Sequence, residues 1–210
     1  MALAGTSEGR REVKKSETRH ALREAALARF LAHGVADARV ADIAADCGVS
    51  ERTFFRYFPT KEHAALDGLE TWLQQLISAF EELPDSYGPI AALDAVFAQA
   101  RAGRFPFGAD QVRSAIAYES FPEVQATFAG IVEAQRLRTV ADIARRSGTD
   151  LYDPYARVLG SVLTSGLFAV MESWLHGGRG DDPWDLVAET LGRVARDVVD
   201  LGPAEADRST

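Results

Sequence analysis

At 210 residues and 22.8 kDa the chain is long enough to bury a real core, and 47% apolar with 26% charged residues excludes a disordered or fibrous protein. Its single cysteine, Cys47, excludes an intrachain disulfide and implies no oxidising compartment. The net charge of −8 argues against a nucleic-acid binder until it is divided along the chain. Residues 1–63 hold 11 Lys+Arg against 9 Asp+Glu, a balance of +2, while residues 64–210 hold 12 against 22, a balance of −10. All three lysines (Lys14, Lys15, Lys61) fall in the first part. A weakly basic head on an acidic body suits a protein whose head alone meets phosphate, although chance clustering on a soluble acidic surface gives the same numbers. No stretch comes near the roughly 20 apolar residues of a spanning helix, and no signal-peptide core opens the sequence. The expectation is a cytoplasmic protein with no membrane partner.

In chain order, residues 1–15 are rich in Gly, Ser and charge without an apolar period, and read as a flexible arm. From Ser16 apolar residues recur at Leu22, Ala26 and Phe30, a helical spacing that Gly34 closes. A short helix follows over about Val40–Cys47. Gly48-Val49-Ser50 then makes a turn, and Ser50 caps a third helix that ends at Pro59. Thr60 opens a long amphipathic helix to about Glu82. Pro84 and Gly88-Pro89 break the chain, and five more helices read as roughly 90–102, 109–119, 122–147, 154–177 and 183–201. No alternating strand pattern lies between them. The fold class is all-α, with about nine helices: a head over 16–62, a helical body over 63–202, and a disordered tail over 203–210.

Two short helices joined by a Gly-containing turn, the second polar and capped, describe a helix-turn-helix. Ile43, Val49 and Phe54 would pack the pair on the first helix, leaving Ser50, Arg52, Thr53, Arg56 and Tyr57 to face a duplex. A plain three-helix hairpin with solvated charges would show the same pattern.

The residues carry more than the pattern. Ala41-Asp42-Ile43-Ala44, Gly48-Val49-Ser50 and Thr53-Phe54-Phe55-Arg56-Tyr57-Phe58-Pro59-Thr60-Lys61-Glu62, with Ala25-Ala26, Phe30 and Gly34 upstream, resemble the N-terminal domain of the TetR-type (tetracycline-repressor-like) regulators. That resemblance covers about 45 residues; beyond Glu62 only helix number and length are similar. It implies an Ω-shaped homodimer, a double-stranded operator read by the third helix, a repressor's role, and release by a small-molecule effector. It also implies that Arg52, Thr53, Arg56 and Tyr57 meet DNA, with Lys61 on phosphate; a solvated lysine is the plainer alternative. Two positions depart from the family. Ala38-Arg39 stand where Thr-Thr is usual, which removes a cap from the second helix and offers Arg39 as a phosphate contact. Phe55 replaces a common tyrosine, whose hydroxyl meets the DNA backbone.

In the body, Phe80, Phe97, Phe107, Tyr118, Phe121, Phe128, Phe168, Met171 and Trp174 could surround an apolar effector cavity, or serve simply as core. The helix at 154–177 is apolar on more than one face, and small residues such as Gly160 and Gly166 would let neighbours approach closely. Leu159, Leu163 and Leu167, with Leu191, Val194 and Val198 of the last helix, form the expected four-helix dimer interface. The four histidines show no metal spacing, there is no Gly-rich phosphate loop or nucleophile elbow, and Cys47 reads as a small hydrophobe. No catalytic residue, metal or cofactor is therefore expected. The other function compatible with the sequence is a small-molecule-binding protein or enzyme that retains a non-functional helix-turn-helix.

Overall fold

The computed structural model describes residues 5–177 and 182–200, with 5–8 and 195–200 described by backbone alone. Among these residues there are nine helices and no strand: α1 (Gly5–Asp37), α2 (Val40–Asp46), α3 (Glu51–Tyr57), α4 (Lys61–Glu81), α5 (Pro89–Arg101), α6 (Ala109–Ser120), α7 (Pro122–Ser147), α8 (Pro154–His176) and α9 (Pro183–Asp200). The tail expected over 203–210 lies outside the described residues.

The arm expected over 1–15 is helical from Gly5 onward. Residues 9–17 are exposed on every side, so this stretch has no buried face for an apolar period to mark. Gly34, at φ 78° and ψ 166°, interrupts α1 where the sequence placed its end.

The chain divides into two compact units: Met1–Leu73 with Gly108–Val132, and Gln74–Phe107 with Glu133–Thr210. The expected boundary at 62/63 falls inside the first unit. There is no linker at that point, because α4 begins at Lys61 and runs on unbroken.

In the first unit Leu22, Ala26, Ile43, Ala44, Phe54, Phe58 and Ala64 form a dry core under the three N-terminal helices. Phe30 of α1 meets Phe121 edge-on at 5.9 Å. α6 is joined to α1 and α4 by charge and by close approach. The buried Arg23 guanidinium reaches Asp110 at 2.7 Å and Asp67 at 3.7 Å, and Arg19 donates to Asp67 at 2.9 Å. A Cβ on Gly68 would lie 2.6 Å from the Asp110 carbonyl oxygen, so only glycine lets α6 sit this close to α4.

In the second unit the wholly buried Arg146 side chain gathers the end of α4 and the turn that follows. It donates to the carbonyls of Phe80 (2.7 Å), Leu83 (2.9 Å), Pro84 (2.9 Å) and Tyr87 (3.2 Å), and pairs with Asp142 one helical turn back on α7. The Phe80 carbonyl lies in the last turn of α4, where a cation is well placed to satisfy it, and the other three belong to the turn beyond. Asp153 accepts from the Ala156 amide at 2.9 Å and Pro154 follows, so α8 starts as the sequence indicated. A Cβ on Gly160 would come within 2.6 Å of Val140, and one on Gly166 within 2.9 Å of Leu191. The small residues of α8 thus serve packing within the chain, against α7 and α9.

One expectation is corrected here. Among the described residues α8 is long and apolar enough to cross a membrane by length and composition. Its glycines, serines and threonine hide this from a search for an unbroken apolar run.

Candidate nucleic-acid interface

The turn between α2 and α3 is closed by main-chain bonds: the Cys47 amide donates to Ala44 at 3.1 Å, Gly48 to Ala45 at 3.0 Å and Val49 to Ala44 at 3.0 Å. Gly48 sits at φ +66°, in the left-handed region that glycine enters without strain. Ser50 then accepts from the Thr53 amide at 3.2 Å and starts α3. Phe54 and Phe58 are buried in the first unit's core and fix the roll of α3. That roll leaves Glu51, Arg52, Phe55 and Arg56 exposed. α2 has no side-chain cap at Arg39, as the departure from Thr-Thr foretold. Arg29 of α1 instead braces α2 from its far end, donating to both oxygens of Asp46 at 2.7 and 2.8 Å.

The residues expected at DNA separate into distinct environments. Arg39, Arg52 and Arg56 are exposed, and none of them is in an ion pair among the described residues. The Arg56 guanidinium lies 5.3 Å from the Tyr57 ring centre. Tyr57 itself is half-buried against the core. Ser50 is the cap just described, and its hydroxyl lies 3.1 Å from that of Thr53. Lys61 is half-buried, its ammonium donating to the carbonyl oxygens of Ala38, at 2.9 Å, and Val35. Phe55, absent from the expected contacts, is 52% exposed and shares a surface hollow with Arg52, Thr53 and Arg56. The sequence held its signal: two consecutive aromatics on a seven-residue helix cannot both face one core.

The Cys47 thiol is half-buried and pushed up from its ordinary pKa, first by that burial and then by the Asp46 charge, as befits a packing residue. Donor atoms of His20, Glu24 and Asp110 lie within 4.8 Å of one another, but Arg23 contacts His20 and Asp110, and Arg113 contacts Glu24 and Asp110. Two guanidiniums occupy the place a cation would need.

The nine residues expected around an effector divide between the units. Tyr118, Phe121 and Phe128 belong to the first, where Tyr118 and Phe128 meet edge-on at 5.0 Å. Phe80, Phe97, Phe107, Phe168, Met171 and Trp174 belong to the second. There Phe107 meets Trp174 edge-on at 5.8 Å, and Phe97 lies 6.3 Å from Trp184, whose indole N–H donates to the Phe105 carbonyl at 3.3 Å. Phe80 is buried, 5.1 Å from the Arg146 guanidinium. Of the expected interface residues, Leu167 is buried, Leu159, Leu163 and Leu191 are half-buried, and Val194 is exposed; the Val198 side chain lies outside the described residues. The more exposed apolar stripe of α8 runs through Tyr155, Val158 and Val162.

Comparison with known proteins agrees with this geometry. Residues 22–63 match the family described as bacterial regulatory proteins, tetR family. The chain is 32% identical over 153 residues to the HTH-type transcriptional regulator TcmR of Streptomyces glaucescens, covering 70% of this chain and 68% of that protein. In fold it is similar to FadR of Thermus thermophilus, a TetR-family transcriptional repressor solved with lauroyl-CoA (TM-score 0.53, 22% identity, 91% of this chain and 98% of that one). It is also similar to NalD of Pseudomonas aeruginosa, the secondary repressor of the MexAB-OprM multidrug efflux pump (TM-score 0.50, 18% identity, 87% and 96%). The capped α3 with its outward arginines, the matched head and the TcmR relationship together establish that the chain belongs to the tetR family of bacterial transcriptional regulators.

Proposed function

We propose that the protein is a repressor that binds a palindromic operator as a homodimer and is released by a small apolar or aromatic effector. The observation that carries the reading is the apolar stripe on α8: Tyr155 is 52% exposed, Val158 63% and Val162 40%, on a helix whose opposite side is buried within its own chain. Apolar side chains in a continuous row on a long helix are costly to leave in water, and a second copy covers them by symmetry. The same partner accounts for a helix as apolar as α8 in a DNA-binding protein of the cytoplasm. A two-fold dimer presents its two α3 helices to half-sites about one turn of DNA apart, roughly 34–36 Å.

The effector is assigned to the aromatic cluster of the second unit, around Phe97, Phe107, Phe168, Met171 and Trp174. The lauroyl-CoA held by the FadR neighbour supports an apolar acyl chain as one class to try. α4 carries residues of both units over 21 residues, about 30 Å of continuous helix, and is the element through which occupancy reaches the head.

Light scattering at micromolar concentration tests the dimer. The wild type should give about twice 22.8 kDa, and the Val158→Glu/Val162→Glu variant about 22.8 kDa with operator affinity lost. A stable wild-type monomer overturns the reading.

A further inference from the structure

We propose that Phe55 is a specificity-determining contact, its ring meeting the 5-methyl group of one thymine in each operator half-site. The inference rests on the reading that α3 faces a duplex, and adds what one position on it recognises.

Consecutive residues on a helix point about 100° apart, so burying Phe54 as an anchor necessarily turns Phe55 outward. Phe54 is fully buried while Phe55 is 52% exposed. The outward ring is also held in place: it stands edge-on to Phe54, centroids 5.5 Å apart and planes at 85°. A fixed ring loses little freedom on binding.

Its neighbours define what it can meet. Arg52 and Arg56 are exposed on either side of it, and with Thr53 they line the same hollow. The hollow is therefore cationic at its edges and apolar at Phe55. A major groove offers the matching pattern, with phosphates along its rims and, among the base edges, one apolar group, the thymine methyl. Phe55 has no polar atom and can neither bond a phosphate nor read a base donor or acceptor. Within a groove the methyl is the group it can recognise. Thr53 is the competing reader, since it too carries a methyl, but its hydroxyl is engaged by Ser50 at 3.1 Å.

The test selects operator duplexes from random sequence with the full-length wild-type protein, then replaces each thymine singly by deoxyuridine. That change removes the methyl and keeps the base pair. One thymine per half-site should weaken wild-type binding roughly fourfold, the worth of burying one methyl group. Phe55→Ala should bind thymine and uracil duplexes alike, Phe55→Tyr should keep the difference, and circular dichroism should show both variants folded. If no replacement affects the wild type, or Phe55→Ala retains the same methyl effect, the inference fails while the α3 reading stands. If the wild type enriches no duplex at all, both fail.

Discussion

The Lys61 ammonium donates to the main-chain oxygen of Ala38 at 2.9 Å and also reaches Val35, so the first residue of α4 holds the corner where α1 turns into α2. That corner needs support, because α2 begins at Arg39 without a side-chain cap. An ammonium has three N–H donors, and two are directed at these carbonyls, leaving one for a phosphate. Lys61 therefore has a structural role at this corner besides the phosphate contact proposed for it.

Lys61→Ala should lower stability by about 1–2 kcal/mol, a few degrees in Tm, because two charge-assisted bonds to carbonyls are lost. It should also weaken DNA binding alike for all sequences and reduce the log–log salt slope by about one. Calorimetry and salt titration read the two effects separately. An unchanged melting temperature would remove the clamp, and an unchanged slope would remove the phosphate contact.

Arg146→Met should be far more damaging than removal of a surface arginine. It leaves Asp142, already buried and with its carboxyl pKa pushed up chiefly by that burial, with only the half-exposed Arg145 as partner, and it removes the donor to four carbonyls in the last turn of α4 and the turn that follows. Losing one partner of a buried pair costs about 3–5 kcal/mol, or on the order of 10 °C here. The double variant Arg146→Met/Asp142→Leu should recover part of the loss. Denaturant melts of the three proteins settle the matter, and a single variant as stable as wild type contradicts the clamp.

Cys47 should react slowly with iodoacetamide at neutral pH. Its raised pKa means less thiolate than an ordinary cysteine provides, so the rate should climb as pH rises toward the shifted value and jump on unfolding. A rate matching that of a free thiol at pH 7.5 would show the side chain to be solvated and ionised.

Effector and operator should oppose each other reciprocally. If a fatty acyl-CoA or an aromatic compound found by thermal shift weakens operator binding by some factor, operator must weaken binding of that compound by the same factor. Calorimetric titration of the compound with and without operator measures this directly. Equal affinities in both titrations would mean that the aromatic cluster and α3 are not coupled.

Much of the fold could be read from punctuation. Pro89, Pro122, Pro154 and Pro183 each open a helix, and Gly34 and Gly48 enter the left-handed region where the first helix and the turn require it. The outward face of α3 was equally legible, since its cap and its arginines are local features. What escaped depends on distance along the chain. The assignment of α6 to the first unit rests on Asp110 meeting Arg23, 87 residues earlier, and on the bare backbone of Gly68. The packing of Phe121 on Phe30 of α1 likewise joins residues far apart in the sequence. Nothing in the sequence marks Arg146, one of two arginines in the last turn of α7, and only the folded chain brings the end of α4 to it. Phe55 escaped differently: its departure from the family pattern was visible, but a missing hydroxyl suggested a lost contact rather than another kind of contact.

The central claim, that α3 of a two-fold dimer reads a specific operator, is tested most directly by fluorescence anisotropy at moderate, stated salt. The probe is a duplex selected from random sequence, titrated with wild type and with Arg52→Ala. The account predicts a palindrome bound by two chains, at least about 10³-fold tighter than unrelated duplex, and a loss of about 1–3 kcal/mol of discrimination at one position per half-site in the variant. Equal binding of selected and unrelated duplexes by the wild type, or saturation at one chain per duplex, would contradict it.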